Sequence, residues 1–243
     1  MTVTLRIEFA KIRPRRASVG RARRTLVAMP RTPRRELVDG LCHVTARGNN
    51  RRRIFRTDDD FLEVLLLLDS AVERHAVICH AFCLIPNHVH FVLEAPQAAL
   101  SAAMRDVVGV FAKRFNRRYG ASGHVFQGRF GSRPISSEPD FLGVVRYVLR
   151  NPVRAGLCDT PADWEWSSYH AYFDPALCPP FLTTSAVLDA FDPRAAIARR
   201  QLATFVATGD SPGTVPYPNP YTPAKRSARI RTSKAAGRPT TLR

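Results

Sequence analysis

Pro86-Asn87-His88-Val89-His90-Phe91-Val92-Leu93 reads as a turn followed by a β-strand. Proline fixes φ and asparagine tolerates unusual backbone angles, so Ile85-Pro86-Asn87 is turn chemistry. From His88 onward the side chains alternate between two faces. His88, His90 and Val92 share one face; Val89, Phe91 and Leu93 share the other. At two residues of ~3.3 Å rise, the two imidazoles stand about 7 Å apart on one face. That is close enough to converge on one divalent cation, while the apolar trio anchors the strand in a core. Two histidines at this spacing also occur on half-buried strands that hold no metal. The octapeptide alone leaves both readings open.

The flanking sequence supplies partners for this strand. Residues 77–84 are an apolar run that fits a central strand, paired through the Pro86-Asn87 turn with residues 88–94 as a hairpin. Residues 41–47 alternate as a further strand, and Gly48-Asn49-Asn50 breaks it. Asp58-Asp59-Asp60 opens a helix, with acids at the positive end of its dipole. Phe61, Val64, Leu65 and Leu68 then recur at helical spacing to about residue 75. A second helix covers about residues 98–119, with Met104, Val107, Val108 and Phe111 inward, a basic end at Lys113, Arg114, Arg117 and Arg118, and Gly120 as its stop. Residues 133–136 fit an edge strand. Ser137 caps a third helix with Pro139 in its first turn. Phe141, Val144, Val145, Val148 and Leu149 form its apolar stripe. Tyr147 falls off that stripe, and Asn151, four residues on, shares Tyr147's face, as does Asp140. Pro152 is expected to end the helix. Trp164, Trp166, Tyr169 and Tyr172 make an aromatic cluster that reads as a packing lid, and residues 183–207 look helical. This order predicts an α+β domain, an antiparallel sheet with helices packed on it.

The formal charge of +17 is unevenly placed. Residues 1–35 hold eleven Lys/Arg and one acid, Glu8; residues 211–243 hold seven Lys/Arg and none. The middle has nineteen of each, so the termini carry the whole excess. We expect a flexible basic arm over 1–35, where Met29 would serve as a shorter start, and a basic disordered tail over 211–243. Between them lie a main domain at 36–173 and a helical extension at 174–210. Within the middle, residues 47–56 carry Arg47, Arg51, Arg52, Arg53 and Arg56, and residues 105–154 carry ten bases against three acids. Such polarity points to a polyanion, nucleic acid first. Residues 120–131 mix four glycines with Phe126, Phe130, His124 and Arg129. Rings beside cations suit single-stranded nucleic acid; the alternative is an ordinary connection whose Phe side chains plug the core. Five cysteines match no zinc pattern and fit a reducing cytoplasm. No apolar run is long enough for a membrane span.

Five segments in order then carry a resemblance. They are His43-Val-Thr-Ala-Arg-Gly-Asn49, Leu84-Ile-Pro-Asn-His-Val-His90, Ser122-Gly-His-Val-Phe-Gln-Gly-Arg129, Tyr147-Val-Leu-Arg-Asn-Pro-Val-Arg-Ala-Gly156 and Trp166-Ser-Ser-Tyr169. Together they resemble the REP-associated tyrosine transposases, relatives of the single-tyrosine HUH transposases, over about residues 30–173. The resemblance implies a ferredoxin-like (RRM-like) core that cleaves and rejoins single-stranded DNA beside short palindromic hairpins. It implies Tyr147 as the nucleophile forming a 5′-phosphotyrosine. It implies His88, His90 and Asn151 as ligands of Mg²⁺ or Mn²⁺; two imidazoles suit Mn²⁺ better. Expected DNA contacts are Arg47, Asn49, Arg51, Arg52, Lys113, Arg114, Arg117, Arg118, His124, Phe126, Arg129, Arg150 and Arg154. A monomer is compatible with this, since one chain holds the whole set, and the expected setting is the cytoplasm beside the nucleoid. Two other readings stay open: a non-catalytic RRM-like binding module, although no RNP1-like run is present, and a 2H-type phosphoesterase using His43/Thr45 and His88/His90, although its second motif would need a hydroxyl where His90 stands.

Overall fold

Four antiparallel strands form the centre of the molecule, which is described here over residues 40–208 from a computed structural model. The basic arm at 1–35 and tail at 211–243 lie outside the described residues. The elements run β1 (Gly40–Arg47), α1 (Asp58–His75), β2 (Ile78–Ile85), β3 (His88–Ala95), α2 (Gln97–Met104), a π-type turn (Arg105–Gly109), α3 (Val110–Tyr119), β4 (Gly131–Pro134), α4 (Glu138–Leu149), α5 (Asn151–Arg154), α6 (Tyr169–Phe173), α7 (Ser185–Asp189) and α8 (Ala195–Ala207). The sheet order is β2-β3-β1-β4. The expected second helix is continuous in path but is divided by the wider, underwound π-type turn, and the edge strand sits two residues earlier than expected. Pro152 does not end the helical path either. A bend at Arg150 starts a second short helix, and Pro152 lies in its first turn, where the missing N–H is harmless.

Alternation along β3 divides two cores. Val89, Phe91 and Leu93 join Cys42, Val44 and Ala46 of β1 beneath α1, α2 and α3. Val92 joins Ala81, Cys83 and Ile85 of β2 beneath α4, Tyr172, α7 and α8. Both faces of the sheet are thus covered, which explains the near-continuous apolar reading of β2. That strand is nevertheless an edge, not a central strand. Its open side is closed by later chain: Leu84 N–H donates to the carbonyl of Trp166, Ser168 N–H to that of Phe82, and Thr183 N–H to that of Cys79. Covering an edge in this way takes up ladder groups that would otherwise be open to another chain. The aromatic cluster is the same device. Trp166 stacks on Phe61 at 4.7 Å, Trp164 Nε1–H donates to the Leu84 carbonyl, and the buried Tyr172 hydroxyl donates to the His80 carbonyl. The segment after residue 173 contributes Phe181 and Leu182 to one core and Val187, Ala198, Leu202 and Val206 to the other.

α1 starts on a carboxylate that has more than one task. Asp60 accepts from the backbone N–H of Arg56 (2.8 Å) and of Thr57 (3.3 Å), capping the helix. The same fully buried carboxylate accepts from Tyr119 Oη–H at 2.7 Å and is ion-paired with Arg118. Glu63, one turn on, accepts from Arg114 and Arg118. The N-terminus of α1 is therefore clamped to the C-terminus of α3. Asp60→Ala removes a buried carboxylate that caps α1 and bonds Tyr119 and the part-exposed Arg118, so it should lower the unfolding free energy by about 3 kcal/mol. Urea denaturation of the full chain checks this; a loss below about 1 kcal/mol, the range of an exposed ion pair, would contradict it.

Candidate active site

β1 and β3 pair so that Arg47 faces His88, Thr45 faces His90 and His43 faces Val92. With side chains alternating, His43 stands diagonally beside His90 on the face that α4 covers. The rings of His43 and His90 stack at 5.1 Å and 6°, and Nε2 of His43 lies 2.9 Å from Nδ1 of His90. The rings of His88 and His90 lie 4.7 Å apart, edge to face. From α4, the ring of Tyr147 presents its edge to both His90 (5.5 Å) and His43 (5.8 Å). From α5, the Asn151 side chain hydrogen-bonds His88. All five side chains are buried. The Arg154 guanidinium lies over the Tyr147 ring at 5.2 Å, from an exposed position.

Burial decides the charge of these histidines. It pushes His88 down to about 3, with Arg47 adding to the effect. It pushes His43 down to about 3 as well, with Arg133 lowering it further against the opposing charge of Asp140. His90 falls well below the ordinary range through burial and its neighbours His88, His43 and Arg47. All three are neutral at physiological pH, the form that ligates a metal. Arg133 itself is held by Asp140 through two bonds of 2.6 and 3.0 Å.

These residues fit a divalent cation. His90 Nε2 is buried without a hydrogen-bond partner, which is unusual for a polar atom unless something absent satisfies it. His88 has one nitrogen on Asn87 and the Asn151 side chain beside it. Among the described residues, no three His, Cys, Asp or Glu are disposed around one point. A third protein ligand would then be of another type, and the Asn151 amide lies beside His88. The donor set of two imidazoles and one amide oxygen suits Mn²⁺. His43, the first histidine of the 2H reading, is buried with its ring turned onto His90.

The expected DNA contacts divide by place. Arg47 ends β1 beside His88. Asn49 and Arg51 belong to a 3₁₀ turn (Asn49–Arg51), and Arg51 and Arg52 are exposed. This loop is bonded to the β2–β3 turn: Gly48 N–H donates to the Asn87 carbonyl and Ile54 N–H to that of Pro86. It is also tight, for a Cβ at Gly48 would lie 2.2 Å from the Arg52 carbonyl oxygen. His124 and Arg129 are exposed on the following loop, which runs beside it through Asn49 N–H to the Val125 carbonyl. Phe126 corrects the expectation. Its ring is buried against Phe111, so it plugs the core and offers no face to a base. Arg150 is a second correction: it donates to the carbonyls of Val206 and Ala207, capping the C-terminus of α8. Lys113, Arg114, Arg117 and Arg118 sit on the helical layer across the sheet from the histidines, where Arg114 and Arg118 are bound to Glu63 and Asp60. A place for His43 and Arg133 beside His90 is not readable from local sequence: the β1–β3 register brings His43 there, and the β1–β4 register sets Arg133 opposite His43.

Residues 38–151 match the family model described as "Transposase IS200 like". The chain is 28% identical over 102 residues to a Haemophilus influenzae protein described as a candidate REP-associated tyrosine transposase, and 26% identical over 117 residues to an Escherichia coli REP-associated tyrosine transposase. These matches cover 37% and 44% of this chain, and 57% and 68% of those proteins. The chain thus spans little more than half of the first relative. A solved structure of a REP-associated tyrosine transposase bound to a REP hairpin shares the fold, with a TM-score of 0.50 and 22% identity, over 64% of this chain and 92% of that one.

The histidine shifts carry a sign. Their folded-state values lie below the unfolded value of 6.5, so between the two the unfolded chain binds more protons. Stability is full above pH 6.5 and falls as pH drops toward about 3. In denaturant titrations, the fall from pH 6.5 to about 5, above the ordinary carboxylate range, should be shallower in His43→Gln. An identical slope in the variant would contradict this account of the cluster.

Proposed function

We propose that this chain, whose residues 38–151 are an IS200-like transposase domain related to the REP-associated tyrosine transposases, cleaves and rejoins single-stranded DNA beside short palindromic hairpins with Tyr147 as nucleophile. The observation that supports this best is the convergence of Tyr147 with two neutral imidazoles and Asn151 under one helix. The partner class comes from the relatives' names and from the exposed arginines beside the site, Arg51, Arg52, Arg129 and Arg154.

The step is a phosphoryl transfer. The Tyr147 oxygen attacks a backbone phosphorus, a new P–O bond forms to the phenol, and the bond from phosphorus to the 3′ oxygen breaks. The phenolic proton is released to solvent, and the departing 3′ oxygen takes one up as a free hydroxyl. The downstream strand stays on Tyr147 through its 5′ phosphate, and attack by a 3′ hydroxyl reverses the sequence and rejoins the strand. His88, His90 and Asn151 would hold Mn²⁺ or Mg²⁺, which when bound polarises the phosphate oxygens. Arg154, over the phenol ring, favours negative charge on its oxygen by simple Coulomb attraction. α4 places the phenol, and Asn151, four residues on in α5, reaches His88.

The test is a denaturing gel of full-length protein with labelled hairpin-bearing single strands from its own genomic surroundings. The unaltered protein with Mn²⁺ should give a covalent protein–DNA band. Tyr147→Phe should lose that band, with hairpin affinity kept within about threefold, and His88→Ala should lose it as well. A band that persists in Tyr147→Phe, or that forms equally in chelator, would overturn the assignment.

A further inference from the structure

Two side chains, Asn87 and His43, each hold a ring nitrogen of the histidine pair. Asn87 stands in the turn between β2 and β3. Its Oδ1 lies 2.6 Å from His88 Nδ1, and its Nδ2 lies 3.3 Å from the backbone carbonyl oxygen of Arg51. A carbonyl oxygen can only accept, so the amide must turn its NH₂ toward Arg51. Its oxygen then faces His88, and the shared hydrogen bond requires the proton on His88 Nδ1. A neutral imidazole carries one N–H, so His88 Nε2 keeps its lone pair, and the Asn151 amide beside His88 meets a bare nitrogen rather than an N–H.

His43 raises the same question for His90. One proton lies between His43 Nε2 and His90 Nδ1. If His43 donates it, His90 must carry its own proton on Nε2. That would be an N–H donor buried with no partner. If His90 donates it, Nε2 is a bare lone pair, the form a cation completes. The stacked, nearly parallel rings hold this choice in one geometry.

We infer that Asn87 and His43 are positioning residues that fix His88 and His90 in the Nδ1–H tautomer, aiming both Nε2 lone pairs at one cation. This rests on the metal reading given above. Ligating histidines usually donate their second nitrogen to a carboxylate, a backbone carbonyl or water. Here the acceptors are a neutral amide and a neutral imidazole. Neutral acceptors add less basicity to the ligands than a carboxylate would, so the cation keeps more of its charge for the phosphate and is held less tightly. Asn87 also ties His88 to the loop that carries Arg51 and Arg52, so displacement of that loop disturbs the orientation of the ligand.

The experiment is Mn²⁺ titration by calorimetry on the full chain without DNA, together with ¹⁵N imidazole spectra of the metal-free protein. The unaltered protein should bind Mn²⁺ and show Nδ1 protonated and Nε2 bare in His88 and His90. Asn87→Ala and His43→Leu, which remove the acceptors, should each weaken binding by about 10- to 100-fold. Asn87→Asp and His43→Gln, which keep an acceptor, should stay within about threefold or, for Asn87→Asp, bind more tightly. Circular dichroism melts establish that each variant is folded. If the unaltered protein binds Mn²⁺ and folded Asn87→Ala and His43→Leu bind it equally well, or if either ring carries its proton on Nε2, the inference is overturned. If the unaltered protein binds no Mn²⁺ while the tautomers are as stated, the metal reading falls and the assignment of the hydrogen bonds stands.

Discussion

Alternation along β3 is the constraint from which the rest follows. One eight-residue strand must bury Val89, Phe91 and Leu93 on one face and present His88 and His90 on the other. A one-residue slip against β1 would send the imidazoles into the apolar core and the apolar trio to the site. The register is therefore held by every buried residue of the α1–α3 layer. The chemistry of the other face inherits that rigidity. His43 meets His90 only because β1 pairs with β3 at this register, and Tyr147 meets both because α4 packs across the same two strands.

Burial gives this face its electrostatic character. Three imidazoles closed beneath a helix, with Arg47 and Arg133 nearby, stay uncharged where exposed histidines would titrate. Neutral rings can approach within stacking distance without repulsion and keep lone pairs for a cation. The lid over them is set from outside the matched segment. Arg146 of α4 stacks on Phe205, and Arg150 caps the C-terminus of α8. Both flank Tyr147 in sequence, so the helix that carries the phenol is fastened by the extension after residue 173. The same extension adds one bond at the edge of β2, from Thr183 N–H to the Cys79 carbonyl. It thus stabilises the sheet and orients the site together.

Much of this was legible in the sequence because it depends on local periodicity. The turn at Pro86-Asn87, the two faces of β3, the cap at Ser137 and the i, i+4 relation of Tyr147 and Asn151 are short-range rules. What was not legible depends on contacts across the fold. The role of His43 needs the β1 register. Arg150 reads as a cation beside the site until α8 supplies carbonyls for it to cap. Phe126 looks like a stacking ring in a glycine-rich loop until the loop is seen pairing beside Gly48, which turns the ring inward. β2 reads as central because both its faces are buried; its edge is covered by chain eighty residues later.

The central claim is that His88, His90, Asn151 and Tyr147 form one metal-assisted site. Anomalous diffraction from crystals of the protein soaked with Mn²⁺ tests it most directly. The account predicts a single strong peak bounded by the His88 and His90 Nε2 atoms and the Asn151 side-chain oxygen, on the side of the sheet that faces Tyr147. A peak at the acidic cluster of Asp60 and Glu63, or no peak between the two histidines in crystals diffracting well enough to show one, would contradict it.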